Sequence, residues 1–341
     1  MKPLTLGKLR GLQQIANPQG IFTITALDHR GSFKRMLQQA MGQGNVDWST
    51  VVAEKERLTR ALAPHSSAVL FDPTYGAGPM LARGAVPGNV GLLVAREESG
   101  YEGSDESRVT LLQPNWSVAA IKRMGAAAVK LLLYYHPEAS SAPKQEEIVR
   151  QVAEECRIHD IAFLVEPMSF PLEPGMKKSD PAFAARKPEI VLESARRLVP
   201  LGIDVLKAEF PCEPGYETDE GVMRAYCRQL TEIAGVPWVL LSAGVDFATF
   251  QRQVEIACEE GASGFLAGRA VWQEGMRMPS PQERQHFLDT IAVSRLRIIS
   301  DIATYRATPW TERIPADAWP KAEEGWSAAY EEAAHARATP A

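Results

Sequence analysis

Lys207 stands in the run Asp204-Val205-Leu206-Lys207-Ala208-Glu209-Phe210-Pro211, which is apolar enough for a buried strand and carries one amine near its carboxyl end. Ammonium groups are rarely buried unless paired, and burial favours the neutral amine. A neutral amine at a strand end is the nucleophile that condenses with a carbonyl to give a Schiff base. The plainer alternative is a lysine that reaches solvent or pairs with Glu209. Further short apolar runs also end in reactive groups. Asp28-His29-Arg30 follows one, Asp72 another, and Arg96-Glu97 a third. Lys130 lies inside Val129-Lys130-Leu131-Leu132, and Glu166 closes the run before Pro167. Ser242-Ala243-Gly244 and Gly268-Arg269 follow the last two.

Such a set can break a carbon–carbon bond beside a ketone. Lys207 would attack the ketone, and the resulting iminium would accept the electrons of the broken bond. Lys130, if close, would keep the Lys207 amine neutral by charge repulsion. Glu166 would shuttle protons during dehydration and cleavage. Asp28 would orient substrate hydroxyls or pair with Lys130. The small residues of Ser242-Ala243-Gly244 and Gly268, with the Arg269 guanidinium, read as a phosphate site, because guanidinium matches phosphate oxygens in a bidentate way. Arg30, with Lys34 or Arg96 nearby, would hold a second anion. Catalytic zinc needs about three protein ligands. Of the six histidines only His29 and His136 fall near carboxyl ends of strands, so no metal and no other cofactor is expected.

These residues must be carried by a repeating frame. Eight apolar runs, at residues 21–27, 68–71, 90–94, 128–133, 162–165, 205–207, 238–241 and 264–267, alternate with amphipathic helical stretches. The helical stretches are 48–62, 118–124, 145–159, 190–198, 222–234 and 247–259, with a long one at 281–305. Runs apolar on both faces suit parallel strands covered by helices. Eight such units predict an α/β fold, a (β/α)₈ TIM barrel, with catalytic groups at the carboxyl ends of its strands. The long gaps 76–88 and 97–115 are expected to be active-site loops. An open doubly wound sheet would usually announce itself by GxGxxG after the first strand, and that motif is missing there. The expected layout is an N-terminal segment 1–20, a barrel 21–310 and a C-terminal extension 311–341. Residues 322–337 of the extension could form a helix, and its end could be disordered.

Composition narrows the function classes. The 341 residues carry a net charge of -5, with no Lys/Arg-rich run, which argues against nucleic acid. No stretch approaches the roughly 20 apolar residues that span a bilayer, and the N-terminus lacks a signal peptide's apolar core. The four cysteines show no CxxC spacing, and Cys156 and Cys258 fall in helical patterns as core residues. A cytoplasmic enzyme is expected, acting as a homo-oligomer, most often a symmetric dimer.

The motifs resemble those of the class I tagatose-1,6-bisphosphate aldolase family, which is related to the sulfofructosephosphate aldolases. The matching pieces are Ala26-Leu27-Asp28-His29-Arg30-Gly31 with Phe33-Lys34-Arg35-Met36-Leu37, Phe71-Asp72-Pro73-Thr74-Tyr75-Gly76, and Ala128-Val129-Lys130-Leu131-Leu132-Leu133-Tyr134-Tyr135. Val165-Glu166-Pro167, the Lys207 run, Leu241-Ser242-Ala243-Gly244-Val245 and Gly268-Arg269-Ala270-Val271-Trp272 complete them. The resemblance implies a (β/α)₈ barrel, Lys207 as the Schiff-base lysine, Glu166 in proton transfer beside Lys130 and Asp28, and phosphate at Ser242–Gly244 and Gly268–Arg269. It implies cleavage of a ketose 1,6-bisphosphate such as tagatose 1,6-bisphosphate to dihydroxyacetone phosphate and glyceraldehyde 3-phosphate. The alternatives are the same reaction on 6-deoxy-6-sulfofructose 1-phosphate, and a sugar-phosphate-binding regulator without turnover. His29 stands where the family pattern has Gln, and Thr74 where it has Glu.

Overall fold

The computed structural model describes residues 3–42 and 44–331. Eight parallel strands close into a barrel: β1 Phe22–Leu27, β2 Ala68–Phe71, β3 Gly91–Ala95, β4 Ala128–Tyr134, β5 Ala162–Met168, β6 Val205–Ala208, β7 Trp238–Leu241 and β8 Gly264–Ala267. β1 pairs with both β2 and β8, which closes the ring. Helices cover the outside, and several start on an aspartate. The side chains of Asp47, Asp219 and Asp246 accept first-turn N–H groups of helices Trp48–Leu62, Glu220–Ala234 and Phe247–Glu259. Each such cap is worth about 1 kcal/mol to the helix it opens.

Side chains alternate across a strand, so every second residue of β1–β8 faces the barrel axis. Phe22, Ile24 and Ala26, Ala128, Ala162 and Leu164, Val205, Val239 and Leu266 share one buried cluster inside the barrel. Their strand neighbours Val129, Leu131, Phe163, Val165, Leu206, Leu240 and Phe265 pack outward under the helices. Continuing the inward series by two places reaches Asp28 after Ala26, Lys130 after Ala128, Glu166 after Leu164 and Lys207 after Val205. The apolar lower layers thus give way to charge at one level of the barrel.

The opposite end is sealed by residues 4–15 and 310–318. A helix Leu6–Ile15, not expected from the sequence, joins Leu4, Leu12 and Ile15 to the inner cluster together with Trp310, Ile314 and Ala318. Gly11 allows that approach, since a Cβ there would lie 2.4 Å from the Ala127 carbonyl oxygen. Lys8 donates to the buried Asp204 at 2.8 Å, and the same oxygen accepts the Phe163 N–H at 2.8 Å. The expected long helix 281–305 is divided into Pro281–Phe287, a wide turn Leu288–Ala292 and Val293–Arg306. Of the helix expected at 322–337, residues 326–331 are helical, residues 322–325 are coil and turn instead, and residues 332–337 lie outside the described residues. All four cysteines are buried and free.

Candidate active site

The carboxyl ends of the strands open on a cavity of about 600 Å³. Asp28, Arg30, Lys130, Glu166, Lys207, Ser242, Ala243, Gly268 and Arg269 all line it, as their strand-end positions predict. Gly244 packs against Arg269 instead of lining the cavity.

At the centre, one oxygen of Glu166 stands 2.8 Å from the Lys207 amine and 3.0 Å from the Lys130 amine. Lys130 is fully buried, and donates to Asp28 at 2.7 Å and to Glu97 at 2.6 Å. Burial alone would push the Lys130 ammonium towards neutrality, but the charges of Asp28, Glu166 and Glu97 outweigh it and hold its pKa well above the usual range. Asp28 is the counterpart. Burial opposes its charge, yet Lys130, Lys207 and His29 together hold its carboxyl well below the ordinary aspartate value. Lys130 is therefore a fixed cation and Asp28 a fixed anion, while Glu166 lies between the two amines.

Glu209 is not the partner of Lys207. It accepts from the Ser169 N–H at 2.7 Å and hydroxyl at 2.5 Å, and pairs with Lys178. That leaves Lys207, only 4% exposed, with Glu166 as its carboxylate contact.

His29 lines the same cavity, with its ring edge-on to Trp272 at 5.2 Å between centroids. Its Nδ1 is buried without a hydrogen-bond partner and lies 3.7 Å from the Asp28 carboxylate. Burial drives the imidazole pKa down to about 3, helped by the charge of Arg269 and opposed by Asp28. It is a neutral ring between the lysine centre and Arg269.

The phosphate-like end is built from backbone. Ala243 and Gly244 both take left-handed conformations, with φ of 46° and 81°. Such torsions are costly for residues with a Cβ, so the turn is a strained one held by its surroundings. A Cβ on Gly244 would sit 3.0 Å from Arg269 Cζ, so the guanidinium lies on bare backbone. Ser242 Oγ accepts the Gly268 N–H at 3.4 Å, joining the two loops. Arg269 opens the helix Arg269–Met276, and its buried Nε has no hydrogen-bond partner among the described residues. Guanidinium, helix N-terminus and a small-residue turn together suit an anion.

The second anion site differs from the expectation. Arg30 does line the cavity, but it donates to the Gln113 side chain at 3.0 Å and the Glu97 carbonyl at 2.6 Å. Lys34 and Arg96 do not line the cavity, and Arg96 donates to the Gln113 carbonyl at 3.0 Å. Arg35, one turn into the helix Gly31–Met41, lines the mouth instead. The 76–88 segment, expected at the mouth, lies away from it. Asp72 explains the difference: it is buried against Lys55 and accepts the Thr74 and Tyr75 N–H groups at 2.8 and 2.7 Å, folding the segment towards the helix layer. Only the start of the 97–115 gap, from Glu97 to Gly100, lines the cavity. Beyond it the chain forms a hairpin of Glu102–Ser104 and Ser107–Val109.

Glu97 and Arg35 are the site residues that strand-end reading did not assign. Glu97 carried a signal, its place after β3, whereas Arg35 needed the turn at Arg30 to be known. Among the described residues no cluster of three or more His, Cys, Asp and Glu is arranged to hold a metal ion. No described helix is long and apolar enough to cross a membrane.

Residues 22–274 match the model of the DeoC/LacD family aldolase. A tagatose 1,6-diphosphate aldolase of Streptococcus agalactiae serotype V is 32% identical over 329 residues, covering 91% of this chain and 99% of the relative. One from Listeria monocytogenes serotype 4a is 30% identical over 333 residues, covering 91% and 95%. Among solved structures, an archaeal fructose 1,6-bisphosphate aldolase superposes with a TM-score of 0.57 at 22% identity, covering 87% of this chain and 99% of that one. A fructose-bisphosphate aldolase from Slackia heliotrinireducens gives 0.60 at 15%, covering 88% and 89%. These structural likenesses concern the barrel fold.

Proposed function

The chain belongs to the DeoC/LacD family of aldolases, and we propose that it is a class I aldolase that cleaves a ketose 1,6-bisphosphate such as tagatose 1,6-bisphosphate. The products are dihydroxyacetone phosphate and glyceraldehyde 3-phosphate. The single observation that carries the Schiff-base reading is the buried Lys207 amine 2.8 Å from Glu166 inside the cavity. The names of the relatives support the bisphosphorylated substrate. No observation favours the sulfonated ketose over it. The regulator reading lacks its signature, since Lys130, Glu166 and Lys207 all stand in the site.

In this reading Glu166 takes a proton from Lys207, and the freed amine adds to the C2 carbonyl to give a carbinolamine. Glu166 returns the proton to the leaving hydroxyl, water departs and an iminium remains. Glu166 then takes the proton of the C4 hydroxyl. The C3–C4 bond breaks, its electrons enter the iminium as an enamine, and the aldehyde leaves. Protonation at C3 and hydrolysis release dihydroxyacetone phosphate and restore the amine. The fixed charges of Lys130 and Asp28 hold the local field steady, which is how a preorganised site lowers a barrier. The C1 phosphate rests on Arg269 and the Ser242–Gly244 turn, and the distal phosphate reaches towards Arg30 and Arg35.

A charged bisphosphate does not cross membranes freely, which fits a cytoplasmic enzyme. Exposed Ile291, Ile298 and Tyr305, seven residues apart on the last helices, fit a homo-oligomer. The deciding experiment is borohydride reduction in the presence of tagatose 1,6-bisphosphate or dihydroxyacetone phosphate, followed by peptide mapping. A ketose-derived adduct on Lys207 is expected, and it disappears in Lys207→Ala. Trapping on another lysine, or turnover retained by Lys207→Ala, would refute the assignment.

A further inference from the structure

We propose that Glu97 is a positioning residue that reserves Glu166 for Lys207 by occupying Lys130. The proposal rests on the aldolase reading and adds a residue to it.

Glu97 is 5% exposed and lines the cavity at the end of β3. One carboxylate oxygen accepts from Lys130 at 2.6 Å, and the other accepts the Leu132 N–H at 3.1 Å. Its carbonyl accepts Arg30 at 2.6 Å. The side chain is thus fixed at both oxygens, and its backbone is tied to the arginine at the mouth.

Lys130 needs partners for three N–H groups. Asp28 and Glu97 supply hydrogen bonds at 2.7 and 2.6 Å. The Glu166 contact, at 3.0 Å, is the longest of the three; the same Glu166 oxygen stands closer to Lys207, at 2.8 Å, and is in hydrogen-bond alignment with neither amine. Asp28 and Glu97 therefore supply the hydrogen bonds of Lys130, and Glu166 lies nearer to Lys207. With Glu97 neutral, the buried ammonium would have two carboxylates in place of three. Glu166 would be drawn to it and become a poorer proton acceptor, because an adjacent positive charge stabilises the carboxylate. The groups facing this network are Asp28, His29 and Arg30 after β1, Arg96 and Glu98 beside Glu97, Lys130, Glu166 and Lys207 on their strands, and Arg269 after β8. Glu97 is the residue that joins Lys130 to Arg30 by direct bonds.

The test is steady-state kinetics of Glu97→Gln and Glu97→Asp on a ketose bisphosphate across pH, with Glu97→Gln repeated in a Lys130→Met background. In Glu97→Gln, kcat should fall about 10- to 100-fold, below the full value of a proton-transfer group. KM should change less than about threefold. The acid limb of the kcat/KM profile should move to lower pH, since removing a negative charge lowers neighbouring pKa values. Glu97→Asp should recover most of kcat. In the Lys130→Met background the same change should cost almost nothing more, because coupled residues are non-additive. A Glu97→Gln enzyme with unchanged kcat and pH profile overturns the proposal. So does an undiminished penalty in the Lys130→Met background. If Glu97→Gln loses its cooperative melt, Glu97→Asp decides, and a folded but inactive Asp variant overturns it. An unmodified chain that shows no cleavage and no trapping at Lys207 overturns the aldolase reading itself, a result distinct from these.

Discussion

The Glu166 carboxylate and the Lys207 amine meet at 2.8 Å on a cavity wall, and the same Glu166 oxygen stands 3.0 Å from a second amine, Lys130. Two lysines sharing one oxygen have different fates because their other partners differ. Lys130 is locked by Asp28 and Glu97, whereas Lys207 depends on Glu166 and on the substrate.

Replacing Glu166 by Gln keeps the shape and removes the proton acceptor. The expected result is a loss of kcat of about 10²–10⁴-fold, the range for a positioned acid–base group. Schiff-base formation should become slow in stopped-flow trapping. A glutamine variant within about tenfold of the parent would move the proton shuttle elsewhere.

Gly244→Ala probes the anion end without touching the lysines. A Cβ there meets Arg269 Cζ at 3.0 Å, on a residue whose φ of +81° already disfavours a side chain. Displacing the guanidinium should raise KM for phosphorylated substrates at least about tenfold, the cost of roughly 1.4 kcal/mol of lost contact. The melting temperature should fall by a few degrees, for a left-handed penalty of about 1–2 kcal/mol. Unchanged KM would remove Arg269 from phosphate binding.

Arg35 is the residue at the mouth that carries the distal-phosphate reading. Arg35→Gln should raise KM for a ketose 1,6-bisphosphate while leaving KM for the 1-phosphate nearly unchanged. Equal effects on both substrates would assign Arg35 to general electrostatic attraction. Loss of neither would return the distal site to Arg30 alone.

The strands and the reactive groups at their ends were legible because of one rule. Parallel strands covered by helices are apolar on both faces, so a lysine or carboxylate inside such a run stands out. Lys130 interrupts Val129 and Leu131, and Lys207 follows Val205-Leu206. The barrel rule then sends their ends to one mouth. The helix Leu6–Ile15 was not legible, since Lys8, Arg10, Gln13 and Gln14 dilute its pattern. Its apolar partners Trp310 and Ile314 lie at the far end of the chain. Arg35 and the hairpin at 102–109 were hidden for a related reason. Their positions depend on turns at Arg30 and Gly100, where no periodicity operates. The partners of Arg30 were equally out of reach, because Gln113 and the Glu97 carbonyl approach it only after the loop folds.

His29 offers a test on stability that is independent of turnover. In the unfolded chain an imidazole protonates near 6.5, whereas burial holds the folded ring down to about 3. Between these values the unfolded state binds the extra proton. Stability from this residue is therefore complete above about pH 6.5 and is lost as pH falls towards 3, at up to ~1.4 kcal/mol per pH unit. Asp28 acts in the same direction, but only below the ordinary carboxylate range, because its folded pKa is lowered as well. The interval from pH 6.5 to 4.5 consequently isolates the histidine from Asp28. His29→Gln cannot titrate there, and a glutamine fills the place without demanding a proton. Thermal melts of parent and variant through that interval should diverge, with the parent losing its melting temperature more steeply as the solution is acidified. Parallel curves would mean that the imidazole takes up its proton in the folded protein, and that the cavity between Asp28 and Arg269 tolerates a charged ring.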